Sequence, residues 1–577
     1  MKRIFLLLFL ALTLAEMSNI EVFAQGRKPR LTLAGSIVGR RVLSADTIYV
    51  LVGFVQVQQD AELVIPAGTV LEGDFASQGA LLTVRGSGTG AGGNAANRRS
   101  GRITANGTAT NPIVFTSQRP DGQKGRGNWG GIVLNGLAPN NGPAGNLFGE
   151  GNTGAHGGNT PNDTSGTLRY VRVEFGGTRI TPDNEVNGFT FNSVGAGTTL
   201  EYLQSHFIAD DAFEWFGGTV NARYLVATGC DDDNFDSDNS WIGKGQFWVG
   251  VEDRNLANRG YESDNNAGGG PERSSLGVLT RPTVYNVTLI GAGRPAANDD
   301  NNDGMYIRRN AQGRYWNHIV ANFGGFGFVI DGSASRTNFT NDSLFVRNSI
   351  MFNRGFFPLG AATTPAGNTV WGAFRAGTPA RYDTTGFYAI ANQWNIRTVN
   401  PQFTRLDTAN AFSSRPDLRP APGSPALTGG ATPVDFARFP GDATNFFDVT
   451  ATYVGAFNAT TDWTAGWTIW TTNATSSVRV DERVLDNRPS GFELSQNYPN
   501  PFNPTTNIKF SLPASQTVSL KVYDIAGREV ATLINSERRA AGTYQLNFDG
   551  YGLSSGAYFY RLQAGNFVET KKMTLVK

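Results

Sequence analysis

LEYLQSHFIADDAFEWF (200–216) is followed, 22 residues on, by ARYLVATGCDDDNFDSD (222–238), and the two stretches align without a gap. Tyr202 falls on Tyr224, Asp210-Asp211 on Asp232-Asp233, and Glu214 on Asp236. LRYVRVEFGG (168–177), WNHIVANFGG (316–325) and VRNSIMFNRG (346–355) carry the same beginning at longer offsets. Each unit holds apolar runs of four to six residues punctuated by Gly, Asn and Asp, the pattern of short strands joined by turns. A period near 22 fits one turn of a parallel β-helix, in which three strands make a coil and stacked coils repeat about every 4.8 Å. Alternation sends Val, Ile, Leu and Phe inward, and Asn and Gly supply the positive φ of the turns. No amphipathic helix is expected between Leu31 and Thr472. Longer offsets imply projecting loops, chiefly at 86–100 and 253–272.

Composition agrees. Of 577 residues 71 are glycine, against a usual ~7 %. Charged residues make up 17 % and hydrophobic ones 40 %, too apolar for disorder. The formal net charge of +1 supplies no field for nucleic acid. Lys2 and Arg3, the apolar run Ile4 to Ala15, and Val22-Phe23-Ala24 before Gln25 read as a secretory leader over 1–24. That run is too short to span a bilayer, which needs ~20 residues, and no later segment is long and apolar enough. Cys230 is the only cysteine, so no internal disulfide can form; it is expected to be a small buried hydrophobe.

The body, 25–472, resembles the pectin-lyase-like right-handed β-helix group. The resemblance rests on the repeats, an opening coil GFVQVQQDAELVIPAGTVLEGD (53–74), ITANGTATNPIVFTS (103–117), NWGGIVLNG (128–136) and a closing stretch PDLRPAPGSPALTGG (416–430). With YVGAFNATTDWTAGWT (453–468) it is similar to large secreted proteins of the Bacteroidota and their relatives. Trp463, Trp467 and Trp470 are expected at the C-terminal cap of the solenoid.

A polar stretch, 473–490, reads as a linker. Beyond it, 491–577 has strands at 517–523, 529–534, 543–548, 557–562 and 568–576, with glycines such as Gly527 at the turns, the spacing of a small immunoglobulin-like β-sandwich. This module resembles the C-terminal sorting domain of the type IX (Por) secretion system. The matching residues are Tyr498, Pro499, Asn500, Pro501, Phe502, Asn503 and Pro504, then VYDIAGREV (522–530), AGTYQLNFDG (541–550), LSSGAYFYRLQAG (553–565), and Lys571 and Lys572 in the closing KKMTLVK. The resemblance implies passage through the periplasm, recognition by the outer-membrane machinery, and release or attachment to surface lipopolysaccharide.

Chemistry concentrates in the aligned acids. Stacking would hold Asp210, Asp211 and Glu214 about 5 Å from Asp232, Asp233 and Asp236, costly unless a cation, a proton or an arginine intervenes. Hard oxygen donors without His or Cys suit Ca²⁺, with Asp210, Asp211, Asp232 and Asp233 as candidate ligands. A second stretch offers Asp299, Asn301 and Asp303 in the pattern D-x-[DN]-x-[DN]-G, but Asn310 stands where an EF-hand has Glu. The bland alternative is turn acids paired with Arg308 and Arg309. For catalysis, a hydrolase would use Glu214 and Asp236 as its carboxylate pair, and a lyase would use Lys244 as base. The Gly-His-Gly and Arg-Ile-Lys elements of the pectin-lyase-like glycosidases are missing, and His156, His206 and His318 read as structural. Trp215, Phe216, Trp241, Phe247 and Trp248 are expected as core stacks before sugar platforms. The favoured function is a noncatalytic glycan-binding or adhesion-type surface protein with no organic cofactor. The alternative is a polysaccharide lyase or glycoside hydrolase.

Overall fold

A computed structural model describes residues 28–576, apart from 88–98, 144–145, 182–183, 254–258, 266–277, 294–301, 353–371, 377–380, 384–392, 407–411, 413–414, 472–482, 487–488, 490, 503–504 and 550–554. The leader, the projecting loops in large part, and Asp299, Asn301, Asn503 and Pro504 lie outside the described residues.

The body is a parallel β-helix. Each middle coil has one long strand, bent at its centre, followed by one short strand. The long strands are Gly166–Glu174, Thr199–His206, Asn221–Thr228, Lys244–Val251, Thr283–Ile290 and Gly313–Ala321, each paired in parallel with the next. The short strands are β1 (Phe189–Asn192), β2 (Phe213–Phe216), β3 (Phe235–Asp238), β4 (Tyr261–Ser263), β5 (Met305–Ile307) and β6 (Phe328–Asp331), again in parallel. The two halves of the long strand and the short strand form three faces. Coil-to-coil pairing matches Leu200 to Ala222 and Glu214 to Asp236, the register that the 22-residue offset predicts.

The residues at the bends differ from expectation. Tyr170, Tyr202, Tyr224 and Phe247 themselves adopt the left-handed conformation, with φ of 50°, 57°, 61° and 61°, and Asn286, Asn317 and Asn348 continue the series. A bulky residue there costs about 1–2 kcal/mol. Stacking offsets much of it: successive rings lie 4.3, 4.2 and 5.0 Å apart.

Inside, side chains form columns. Phe189, Phe213 and Phe235 stack at 5.2 and 5.6 Å, and Trp215 lies against Trp241 and Trp248 at 4.6 and 5.2 Å. These indoles are buried in the core, and Phe216 and Phe247 are buried too.

The segment after Pro425 does not cap the solenoid; it packs along the flank in three passes. Residues 429–438 run from Asn348 back past Asn317 and Tyr285 to Lys244 and Ile242. Residues 446–456 return from Arg223 past Gln246 and Asn286 to Thr288. Residues 463–471 run back again, with Trp463 on Tyr224 and Trp467 edge-on to Tyr170 and Tyr202. The expected capping position for Trp463, Trp467 and Trp470 is therefore corrected: they lie on mid-body coils. The reason is apolar surface. Val226, Val249, Val251, Ile290 and Ile319 face outward from the second halves of the long strands, and this strap buries them in a second core with Val454, Phe457 and Trp467.

Among the described residues one α-helix interrupts the β pattern, α1 (Ser333–Thr340), whose Phe339 packs on Phe328 and Trp394. Eight mostly polar residues are too few for a readable helical period, so the sequence reading passed over it.

The C-terminal unit has two four-stranded antiparallel sheets around Ile508, Phe510, Leu520, Val522, Leu546, Tyr560 and Met573. One holds 483–486, 542–549, 505–512 and 493–494; the other holds 529–539, 516–523, 556–564 and 567–575. Arg483–Asp486, inside the stretch expected to be a linker, is a strand paired with Gly542–Asp549. Its polar composition hides it because it is an edge strand. Among the described residues no helix is long and apolar enough to cross a membrane.

Candidate functional site

The carboxylates gather on the outer side of the short-strand face. Alternation dictates the split along this face: Phe213 and Trp215 point in, so Glu214 between them points out, and Asp236 follows suit between Phe235 and Ser237. The ladder runs Thr190, Glu214, Asp236, Glu262 across β1 to β4. Asp210-Asp211 and Asp232-Asp233 lie in the turns that lead into β2 and β3.

Two groups of carboxylate oxygens result: Asp210, Asp211 and Asp232, and Asp211, Glu214 and Asp236, with the atoms of each group within 4.8 Å of one another. Asp211 belongs to both. Asp211 and Glu214 are buried, whereas Asp210, Asp232 and Asp236 keep some contact with solvent. The candidate ligands and the candidate hydrolase pair therefore form one constellation. Asp233 stands apart from both groups, its Oδ1 accepting from the Arg259 amide at 3.0 Å. Asp303 Oδ1 accepts from the Phe326 amide at 2.6 Å, tying one coil to the next.

Neighbours orient the acids. Asn187 donates through Nδ2 to Glu214 Oε2, and its Oδ1 accepts from the Asp211 amide at 3.2 Å. Asp211 Oδ1 accepts from the Asp233 amide at 2.8 Å. Among the described residues no hydrogen-bond donor reaches Asp236 Oδ1. Two antiparallel hairpins, Leu147–Gly149 with Gly154–His156 and Arg179–Thr181 with Asn184–Glu185, bring in Glu150 and Glu185.

Burial, and then the neighbouring carboxylates, push Asp210, Asp211, Glu214, Asp233, Asp236 and Asp238 well above the usual carboxylate range. Asp232 is raised to about 6 and Glu150 to about 7 by the same causes. The far end of the ladder is different. Burial acts on Glu262 as well, but Arg259 and Arg308 outweigh it and hold the carboxyl below its ordinary value. Arg308 and Arg309 also grip Asp264, at 2.9 and 2.6 Å. The array is thus a proton- or cation-demanding half beside an arginine-neutralised half.

The other candidates lie elsewhere. Lys244 is not brought to the acids; it is fully buried under the strap, paired with Asp435 and Asp442. His206 Nδ1 meets Thr228 Oγ1 at 2.8 Å, His318 is buried opposite Val287 with its amide donating to Ser349 Oγ at 2.9 Å, and His156 meets Ser193. Burial lowers all three to about 3, so they remain neutral. Burial likewise pushes the Cys230 thiol up to about 12; the acids beside it contribute least.

Sequence reasoning overlooked Glu262 and Asp264, although a signal exists: FDSDN (235–239) recurs as YESDN (261–265). Glu150, Glu185 and Arg259 carried no such echo.

Residues 35–364, more than half of the chain, match the pectate-lyase like beta helix domain. The chain belongs to that β-helix family. Residues 496–576 match the secretion system C-terminal sorting domain, so this β-helix protein is secreted or displayed at the cell surface and its tail addresses the type IX machinery. No curated protein and no solved structure matches the chain. In the sorting domain, Phe502 is buried, Asn500 Oδ1 accepts from the Thr574 amide at 2.9 Å, and Tyr498 is exposed. Gly527 turns with φ of 79°, Lys571 pairs with Glu569 at 3.0 Å, and the Lys572 carbonyl accepts from Gln496 at 2.8 Å.

Proposed function

We propose that this exported β-helix is a noncatalytic, calcium-loaded surface protein that binds glycans through its acidic face. The observation that carries the reading is the pair of carboxylate groups sharing Asp211. Oxygens within 4.8 Å of one another are close enough to share a single Ca²⁺ at about 2.4 Å from each, and the donors are all hard carboxylates. Asp211 and Glu214 would grip from the buried side. Ca²⁺ takes six to eight oxygens, so three carboxylates leave positions open toward solvent for water or sugar oxygens. Trp215, Trp241 and Trp248 are committed to the core, so contact with a sugar would fall to the carboxylates and the ion they hold.

The test presents the purified chain to acidic and neutral polysaccharides with calcium or a chelator. Binding that needs calcium and fails in Asp211→Asn supports the reading. New reducing ends or unsaturated-uronate absorbance, lost in Glu214→Gln or Asp236→Asn, overturn it in favour of a lyase or hydrolase.

A further inference from the structure

We propose that the strap is covalently locked to the solenoid by an autocatalytic amide bond between Lys244 and Asp435, with Asp442 as the proton carrier. This modification site is independent of the acidic face.

The geometry is that of a reaction chamber. Lys244 begins a long strand of the body and is fully buried; the side chains of Asp435 and Asp442 are 6 % and 0 % exposed. Two ammonium donors are engaged, one by Asp435 Oδ1 and one by the Ala443 carbonyl at 2.8 Å, and Asp442 Oδ2 forms an ion pair with Nζ at 3.4 Å. The amine is thus held against one carboxyl, with a second carboxyl beside it. Asp435 Oδ2 accepts from the backbone amides of Phe446 and Phe447, the latter at 3.2 Å. Two backbone N–H groups on the oxygen that becomes the oxyanion are the arrangement that stabilises a tetrahedral adduct. Arg438 holds Asp442 from the far side through Nε at 2.7 Å and Nη2 at 2.8 Å, and anchors itself to the Thr219 and Ile242 carbonyls. The Phe436 ring lies 5.6 Å from Nζ.

Amide formation from an amine and a carboxylate fails in water because both partners are ionised and solvated. Burial removes the solvation, and fixed contact replaces a bimolecular encounter. The proton of the direct hydrogen bond moves from Nζ to Asp435 Oδ1, giving a neutral amine and a carboxylic acid. The Nζ lone pair attacks Cγ, and Oδ2 takes the negative charge under the two amides. Asp442 accepts a second proton from the nitrogen and delivers it to Oδ1, which leaves as water while the Cγ–Oδ2 double bond re-forms. The ammonium and carboxylate become one amide and one water, Asp442 is regenerated, and no oxidant or cofactor is consumed. The product replaces two opposite buried charges by a neutral group in a site that otherwise bears the cost of desolvating both.

The experiment is mass spectrometry of the full purified chain. The expected intact mass falls short by one water, and trypsin yields residues 224–254 joined to 406–438 through Lys244 and Asp435. Lys244→Arg keeps a cation in the chamber, and Asp435→Ala removes the electrophile; both should have full mass. Asp442→Asn should fold, by circular dichroism, and remain unlinked. Full mass with ordinary tryptic cleavage after Lys244 in the folded wild type overturns the proposal, as does a water lost within a single Asp-Gly peptide such as Asp331-Gly332. Complete linkage in Asp442→Asn overturns the role of that residue.

Discussion

Asp211→Asn perturbs both carboxylate groups at once, because Asp211 is the only residue they share. With calcium the folded chain gains RT ln(1 + [Ca²⁺]/Kd) per site. For a Kd of ~10⁻⁴–10⁻³ M, usual for extracellular modules, ~10 mM calcium gives about 1.4–2.7 kcal/mol per ion, or about 3–5 kcal/mol for two. Unfolding entropy of ~2.1 cal/mol/K per residue puts the body near 0.9 kcal/mol/K, so the melting temperature rises by about 3–6 °C. Asp211→Asn should lose most of that gain. Without calcium the sign reverses. A carboxyl whose pKa is raised on folding adds stability that is fully present below its unfolded value and is lost as pH rises through its folded one. For Asp232, raised from 3.8 to about 6, the loss is complete above that pH and amounts to ~3 kcal/mol. Chelated wild type should therefore be less stable at pH 8 than Asp211→Asn, and the calcium gain should be larger at pH 8 than at pH 5. Differential scanning fluorimetry of both proteins, with calcium and with chelator from pH 5 to 8, measures this. Taking the difference between the two proteins cancels contributions from the histidines. An equal calcium gain in Asp211→Asn and wild type, or a gain that does not change with pH, would refute the reasoning.

Other expectations follow from single contacts. Trp467→Ala removes a fully buried indole, a loss of about 3–5 kcal/mol; hydrogen exchange should show the Ile469 amide, bonded to Gln204, losing protection before the coils do. Arg308→Ala leaves Asp264 short of its main counter-charge and Glu262 with Arg259 but without its second arginine, and should cost ~3 kcal/mol, read as a lower urea midpoint. His206 is held near 3 when folded and returns to about 6.5 when unfolded, so stability falls as pH drops below 6.5. Between pH 7 and 5 its share is ~2 kcal/mol, and His206→Asn should show that much less acid sensitivity.

What the sequence disclosed depended on coil length. The coils carrying Glu214 and Asp236 are equal, so side chains paired in space are also paired at a constant offset, and the acidic ladder could be read directly. The third rung, Glu262, follows a coil lengthened by insertion, and only the YESDN echo marks it. Lys244 illustrates the limit. Proximity to the acids in the chain suggested a shared site, yet its neighbours in space are Asp435 and Asp442, on a strap with no period of its own. Tyr170, Tyr202 and Tyr224 were legible as a repeat but not as bends, since left-handed backbone is rare for such residues and only the stack beside them sustains it.

The three-pass strap also sets the route by which tension crosses the protein. The body's chain passes toward the sorting domain at Thr471, beside His206 on a mid-body coil, and not at the last coil. A pull there loads the stretch 463–471 first, peeling the indoles from the tyrosine stack one contact at a time. The load then travels through 446–456 to the Lys244 clasp. The stacked coils feel it last. Force applied at that end would be spent on strap contacts that can re-form before it reached the coils that carry the acidic face.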